Sequence, residues 1–185
     1  LTQQLEPHFL FNALNTIAAA IHSDPDRADA LLTKLAALLR AATDLTRRPQ
    51  CTLDEELKLL EGYAAIMCER FADRVRLHWA IDDDARTCRV PTLAVQPLLE
   101  NAFRHAVERS SDTTELWVRA RCSGGRLRVE VEQSRGELPT APTEGVGLDT
   151  LRQRLQALHG AQAAVGLEPR APAGMGRGPD HQRRA

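Results

Sequence analysis

The sequence has almost no net charge, no closely spaced cysteine pairs and no long apolar run. Its formal net charge is −1, so no overall field favours nucleic acid or an acidic membrane surface as a partner. Neither a signal-peptide pattern nor an apolar run long enough to cross a bilayer is present. The cysteines show neither C-x-x-C spacing nor metal-ligand pairing, which predicts the reduced thiols of a cytosolic protein: Cys51, Cys68, Cys88 and Cys122.

Apolar residues make up 43% of the 185 residues, which is enough for the core of one large domain or two small ones. The chain begins inside a helical pattern, with Leu1 and Leu5 already in register with the apolar residues that follow. We therefore expect a fragment of a longer protein, whose upstream part, for example a membrane sensor, is missing.

The first helical run places a histidine, His8, directly behind Pro7. At helical spacing a polar stripe is predicted, made of His8, Asn12, Asn15, Ala19 and His22. Beside it an apolar stripe is predicted, made of Leu10, Leu14, Ile17 and Ile21. Pro7 lacks a backbone N–H, so we expect a kink just before His8 that exposes it while Phe9 and Phe11 stay packed. Taken alone, such a histidine is more typical of a helical core than of a reactive site.

A second helix is predicted after this run. Asp24 or Ser23 can cap it, Pro25 suits its first turn, and apolar residues at helical spacing continue to about Thr43. Two antiparallel helices are the expected result. Their two-sided apolar surface predicts a homodimer.

A third helix and a change of character follow. Thr52 and Glu55 form a capping-box pattern that opens a helix ending near Phe71. Residues 75–81 then alternate at period two, as a half-buried strand should, and three aspartates close the strand with a turn. The sequence therefore predicts about seventy helical residues followed by an α/β part.

The α/β part is predicted to contain a helix, a hairpin and a loop. Pro91 is expected in the first turn of the helix, with a kink or a short irregular turn at Pro97. Strands at 115–121 and 126–132 are joined by Ser-Gly-Gly, a strong hairpin signal. Residues 134–145 form a loop of the kind that often acts as a lid.

The last predicted elements are a helix that starts at Gly147 and stops at Gly160, and a short strand within 163–167. Beyond Glu168 the chain is rich in Pro, Gly and Arg, and we expect this tail to be disordered.

Two groups of residues in this part carry chemistry. Asn101, Arg104 and His105 project from one helix at i, i+3 and i+4, and an amide oxygen beside two basic groups suits a Mg²⁺-bound triphosphate. A solvated helix face has the same pattern. Gly145 and Gly147 open a helix after the long loop, which offers backbone N–H groups to anions, although two glycines alone are weak support.

Three ordered motifs resemble those of the LytS-type sensor histidine kinases. They are Pro7-His8-Phe9-Leu10-Phe11-Asn12, the run from Gln96 to Ala102 with His105, and Gly145-Val146-Gly147-Leu148 with Arg152 and Leu155. The resemblance covers about residues 1–165.

The resemblance implies an α+β fold: a helical dimerisation and phosphoacceptor region over 1–72, then a GHKL-type (Bergerat) ATP-binding α/β sandwich over 73–168, with the tail at 169–185. It implies that His8 takes the γ-phosphoryl group of ATP and passes it to an aspartate of a response regulator. Asn12 can orient the imidazole, or a water in any phosphatase reaction. ATP and Mg²⁺ are the implied cofactors, with Asn101 as the metal ligand, and the full-length protein is expected on the cytoplasmic side of a bacterial inner membrane.

The resemblance also implies the nucleotide contacts, made by Asn101, Arg104, His105, Gln133, Gly145, Gly147 and Leu148. One departure concerns adenine. The family carries an Asp-Asn-Gly-x-Gly type box after the second hairpin strand, and here Glu132 and Gln133 stand in its place. Losing the aspartate costs about 1 to 3 kcal/mol of nucleotide binding, or roughly ten- to hundredfold in affinity.

A second departure is the end of the chain, where a Gly/Pro/Arg tail replaces the family's closing strand and would leave a sheet edge exposed. The alternative reading is therefore a degenerate pseudokinase, a dimeric signalling scaffold with weak or no ATP binding. A third class, an ATP hydrolase of the same superfold, is disfavoured because its water-activating glutamate would stand at Pro97.

Overall fold

The computed structural model describes residues 7–108, 110–134, 146–160 and 163–166, with the backbone alone for residues 7, 8, 146–148, 158 and 159. The fold is mixed α+β. Its helices are α1 (Pro7–Ala20), α2 (Pro25–Leu45), α3 (Leu53–Phe71), α4 (Asp83–Arg86), α5 (Gln96–Ala102), which continues as a π-helical turn (Phe103–Val107), and α6 (Val146–His159). Its strands are β1 (Gln50–Thr52), β2 (Val75–Ile81), β3 (Arg89–Pro91), β4 (Thr114–Ser123) and β5 (Arg126–Gln133).

The predicted helix starts are confirmed where a side chain caps them. The Asp24 carboxylate accepts a hydrogen bond from the N–H of Arg27 at 3.1 Å, with Pro25 in the first turn of α2. At the start of α3 the capping box is complete: the Glu55 N–H donates to the Thr52 hydroxyl at 3.2 Å, and the Thr52 N–H donates to the Glu55 carboxylate at 2.9 Å. These caps satisfy N–H groups that have no partner within the helix.

The apolar face of α1 differs from the predicted one. The side chains buried against α2 and α3 are Phe9, Ala13, Ile17 and Ala20. Leu14 and Ile21 are each 49% exposed, and Phe11 is 67% exposed, so the predictions that these three pack inward are wrong. The predicted polar stripe does lie on one side, since Asn12, Asn15 and Ala19 line an open cleft of about 470 Å³. The kink predicted before His8 lies outside the described residues.

Within the described residues, the β structure consists of one three-stranded sheet and one two-stranded ribbon. The sheet has the order β2-β4-β5, with β2 and β4 parallel and β4 and β5 antiparallel. Leu116, Val118 and Ala120 of β4 are fully buried on the face that packs against the helices. The ribbon pairs β1 with β3.

The strands at the predicted hairpin are joined as the sequence indicates. Gly124 and Gly125 both have positive φ, 57° and 73°, which suits a two-residue turn of type I′. The pairing runs from Ser123 opposite Arg126 to Leu116 opposite Gln133.

The predicted helix start at Pro91 is wrong. Pro91 is the last residue of β3, and the helix begins five residues later at Gln96. Pro97 lies in the first turn of α5, where its missing N–H is tolerated, so no kink arises there. Between the two, Leu93 has a φ of 58° and is buried, which marks a tight turn into the core.

A single hydrophobic core joins the elements, from Phe9 of α1 to Leu151 of α6. Gly160 follows α6 with a φ of 56°, as expected of a glycine at a helix end. Residues 163–166 of the predicted last strand have no regular structure, and residues 169–185 lie outside the described residues. All four cysteines are free thiols. Within the described residues, no helix is both long and apolar enough to span a membrane.

Candidate functional site

An aromatic chain fixes the helix that carries the histidine motif. The ring centroids of Phe9 and Tyr63 lie 4.5 Å apart, and those of Tyr63 and Phe103 lie 5.9 Å apart in an edge-on arrangement. Both distances lie within the range of favourable aromatic pairs. These contacts connect α1, through α3, to the helix that carries Asn101. His8 lies in the first turn of α1.

A small cleft lies where these three helices meet. Its walls are formed by Phe9, Asn12, Tyr63, Met67, Glu100, Phe103, Arg104 and Glu108. Asn12 therefore faces the same space as Glu100 and Arg104. The structure thus brings together two sequence motifs that are almost 90 residues apart.

Glu100 is the most unusual ionisable group of this cleft. Burial raises the pKa of its carboxyl to about 7, opposed by a hydrogen bond that the Gln96 amide donates to it at 2.7 Å. The Glu100 carboxyl therefore binds its proton more tightly than an exposed glutamate does. The buried Gln96 amide oxygen has no partner.

The predicted triad of nucleotide contacts is split by a change of helix type. Asn101 lies in the last turn of α5, while Arg104 and His105 lie in the π-helical turn, closed by a hydrogen bond from the Glu108 N–H to the Phe103 carbonyl at 3.0 Å. Such turns change the angular spacing of side chains and are frequent at functional sites. All three side chains are half-buried, and Arg104 lines the cleft beside α1.

The hairpin register separates Glu132 and Gln133, the two residues expected in place of the aspartate. Gln133 pairs with the buried Leu116 and lies on the face of the sheet that carries the helices. Glu132 pairs with Trp117 on the opposite face, where its carboxylate forms an ion pair with Arg119. Of these two, only Gln133 lies on the side of α5.

Helix α5 contacts both β5 and α6. Gln133 at the end of β5, Asn101 in α5 and the first turn of α6 with Gly147 and Leu148 are therefore on adjoining elements. Gly145 lies outside the described residues.

One buried group that positions α5 was not identified from the sequence. Glu56 of α3 is fully buried, and its carboxylate accepts hydrogen bonds from the N–H groups of Val95 and of Gln96, the latter at 3.3 Å. Burial raises the pKa of Glu56 to about 7, while these hydrogen bonds lower it. An acidic residue between Leu53 and Leu57, within an apolar helical stripe, is the signal that marks this position.

Arg154 of α6 approaches the same buried region. Its guanidinium donates to the carbonyl of Thr92 at 2.7 Å, and burial lowers the pKa of Arg154 while the charge of Glu56 raises it. Glu56 of α3 and Arg154 of α6 thus both hydrogen-bond to the backbone at or just before the start of α5. These bonds link α3 and α6 to α5, the helix that carries Asn101.

Mg²⁺ bound to a triphosphate needs only one or two protein oxygen ligands, since phosphates and water supply the rest. Asn101, with its amide at the end of α5, offers one such oxygen. Among the described residues no group of three or more His, Cys, Asp or Glu could hold a metal ion by itself. The residues present fit a metal that arrives with a nucleotide.

The sequence was also compared with known proteins. The family model described as "Histidine kinase" matches residues 1–75. The chain is 33% identical over 167 residues to the sensor histidine kinase BtsS of Escherichia coli strain K12, which covers 89% of this chain and 29% of BtsS. It is 32% identical over 181 residues to the sensor protein LytS of Staphylococcus haemolyticus, with 91% of this chain and 31% of that protein covered.

A third relative is the sensor histidine kinase YpdA of Escherichia coli strain K12, at 31% identity over 170 residues, or 86% of this chain and 30% of YpdA. The chain thus spans about 30% of the length of the curated relatives it matches. The chain belongs to the family of LytS-type sensor histidine kinases.

Proposed function

We propose that this chain is the catalytic region of a two-component sensor histidine kinase, in which His8 accepts the γ-phosphoryl group of ATP and passes it to an aspartate of a response regulator. The observation that carries the proposal is the packing of α1 on the helix of Asn101 through Phe9, Tyr63 and Phe103. A phosphoacceptor helix must reach the nucleotide, and this packing holds the two motifs side by side.

The nucleotide contacts follow from the elements that meet around α5. Asn101 gives an oxygen to Mg²⁺, His105 and Arg104 face the phosphates, and Gln133 offers its amide oxygen to the adenine amino group. The backbone N–H groups of Gly145, Gly147 and Leu148 donate hydrogen bonds to phosphate oxygens. Mg²⁺ neutralises charge on the phosphates.

The transfer is a substitution at the γ-phosphorus. A P–N bond forms between one ring nitrogen of His8 and phosphorus, the bond to the bridging oxygen breaks, and ADP leaves with the electron pair. The other ring nitrogen then releases its proton. A neutral imidazole is a competent nucleophile near pH 7. Asn12, one turn beyond His8, orients the ring, or a water molecule in a phosphatase reaction.

The organisation we propose has two parts. Residues 1–72 form the dimerisation and phosphoacceptor region, and residues 73–168 form a GHKL-type ATP-binding sandwich. Helices α1 and α2 expose several large apolar side chains, and such exposed apolar surface is typical of a protein interface, which supports a homodimer. These side chains are Phe11, Leu14, Ile21, Leu32 and Leu39. In the full-length protein an upstream sensor region would place this part at the cytoplasmic face of the inner membrane.

The alternative function is a pseudokinase scaffold that keeps the fold and the dimer but binds ATP weakly. Gln133 favours it, because a neutral amide replaces the charged acceptor of the family. Hydrogen bonds to charged groups contribute about 1.5 to 3 kcal/mol, against about 0.5 to 1.5 for neutral ones. The two functions therefore differ in a measurable affinity.

A calorimetric titration with Mg·ATP separates them. The kinase proposal expects one saturable site per chain, weakened at least about tenfold in Asn101→Ala. Asn15→Ala is the matched control, since it removes an exposed amide from α1 and should leave the affinity unchanged. Wild-type protein without saturable binding would favour the scaffold.

A further inference from the structure

Two of the four thiols are neighbours in space although 34 positions separate them. Cys88 follows α4, and Cys122 lies near the end of β4. The Cys88 Sγ donates a hydrogen bond to the Asp84 carbonyl at 3.6 Å, and the nearby thiol of Cys122 contributes to raising the pKa of Cys88. Both residues are half-buried, so both remain open to small reagents.

The backbone explains why they meet. The chain leaving β2 stays beside β4, since the N–H of Asp82 donates to the Ala120 carbonyl at 3.0 Å. Helix α4 then packs against β4. Cys122 lies on the same face of β4 as the buried Ala120, which is the face that the helices cover. The turn that carries Cys88 therefore lies over Cys122.

The other two cysteines are placed differently. Cys51 is fully buried beside Glu56, and burial raises the pKa of its thiol to about 11, so it stays protonated and unreactive. Cys68 lies on α3, and burial raises the pKa of its thiol as well. Neither interacts with a second thiol in the structure.

We propose that Cys88 and Cys122 are an oxidation site that closes an intramolecular disulfide. With hydrogen peroxide as oxidant, one thiolate attacks a peroxide oxygen, an S–O bond forms, the O–O bond breaks and hydroxide leaves, which gives a sulfenic acid. The second thiolate then attacks the sulfenic sulfur, an S–S bond forms, the S–O bond breaks and a second hydroxide leaves; each hydroxide takes up the proton that one thiol released and becomes water. Two thiols are oxidised and one peroxide is reduced for each bond.

The bond would tie two parts of the fold that carry the candidate site. The carbonyl of Cys88 accepts the N–H of Leu53, the first residue of α3, at 2.8 Å, and β3 begins at the next residue. Cys122 belongs to the hairpin that ends at Gln133. Oxidation would join the hairpin covalently to the segment around Cys88, which is hydrogen-bonded to the first residue of α3.

Burial and the Cys122 thiol raise the pKa of Cys88, so the reaction should accelerate with alkaline pH. The test is to treat the whole chain with hydrogen peroxide at pH 8.5, unfold it, alkylate the remaining thiols and digest it with trypsin. The arginines around both cysteines release the short peptides 87–89 and 122–126. We expect these two peptides linked, with Cys51 and Cys68 alkylated, and a melting temperature several degrees higher after oxidation.

Cys88→Ser and Cys122→Ser should each abolish the linked peptide and the rise in melting temperature, whereas Cys68→Ser should keep both. Separate sulfenic or sulfinic products on Cys88 and Cys122 without a link would overturn the proposal. A link through Cys68, or one that joins two chains, would overturn it too. None of these outcomes depends on nucleotide binding or phosphoryl transfer.

Discussion

The rings of Phe9 and Tyr63 meet at 4.5 Å between centroids and 41° between planes, which docks α1 on α3. Phe9 is 2% exposed, although it lies close to the start of the described chain. A short helix needs such an anchor, because isolated helices of this length are marginally stable in water.

Removing this anchor should be costly. Phe9→Ala is expected to lower the free energy of unfolding by about 3 to 5 kcal/mol, the usual cost of deleting a buried Phe side chain. Asn15→Ala truncates an exposed side chain on the polar side of the same helix and should change it by less than about 0.5 kcal/mol. Denaturant unfolding measures both, and equal effects would contradict the packing of α1 described above.

The exposed apolar side chains of α1 predict the oligomeric state. Changing Phe11 and Leu14 to Glu together should convert a dimer to a monomer, because burying two carboxylates in an apolar interface is unfavourable. Asn15→Glu adds one such carboxylate on the polar side of α1 and should leave the dimer intact. Sedimentation equilibrium at micromolar concentration distinguishes the species, and a monomeric wild type would refute dimerisation through this surface.

Glu56 predicts a pH dependence of stability. Its pKa in the folded state, about 7, lies above its ordinary value of 4.5, so the folded state binds the proton more tightly. The stabilisation is complete below about pH 4.5 and is lost as the pH rises to about 7. The difference corresponds to roughly 3 kcal/mol.

The variant Glu56→Gln should keep the hydrogen bonds to Val95 and Gln96 while removing this part of the slope. Glu61→Gln, at an exposed position of α3, is the control and should titrate like the wild type. The measurement is the free energy of unfolding at half-unit steps of pH. A slope for Glu56→Gln equal to that of the wild type would assign the pH dependence to other groups, such as Glu100.

A substitution at Gln133 is expected to strengthen adenine binding. Gln133→Asp restores a charged acceptor and should tighten Mg·ATP binding about tenfold, or about 1.4 kcal/mol. Glu132→Asp shortens the neighbouring carboxylate on the opposite face of the sheet and should leave the affinity unchanged. Titration of both variants with Mg·ATP tests this assignment. If the affinity changed in Glu132→Asp alone, Glu132 rather than Gln133 would be the adenine contact.

The sequence predicts an element well where contacts between neighbouring residues determine its backbone. The capping box of Thr52 and Glu55 and the glycine pair of the hairpin fix their backbone through neighbouring residues, and both predictions are confirmed. Strand β2 matches the predicted range 75–81 residue for residue, because its alternation reflects one buried face.

The predictions from the sequence are wrong where tertiary contacts determine the structure. Period alone cannot tell which of two adjacent apolar stripes of α1 faces α3, and Phe9 rather than Leu14 is chosen by the fit to Tyr63. A proline suits an edge strand as well as a helix start, so Pro91 was assigned to the wrong element. The left-handed turn at Leu93 has no sequence signal, because leucine rarely adopts it.

The candidate site divides in the same way. The motifs around His8 and Asn101 are legible in sequence, and the proximity of Asn12 to Glu100 is not, because it depends on how α1 docks. The role of Glu56 is not predictable from the sequence for the same reason, since its partners Val95 and Gln96 lie about 40 residues away in the chain.

Labelling with γ-labelled ATP is the most direct test of the central claim that His8 is the phosphoacceptor. The wild-type chain should gain label that is stable in alkali and lost in acid, as expected of a phosphohistidine, and His8→Gln should gain none while still binding Mg·ATP. Label that persists in His8→Gln, or that survives acid, would contradict the claim.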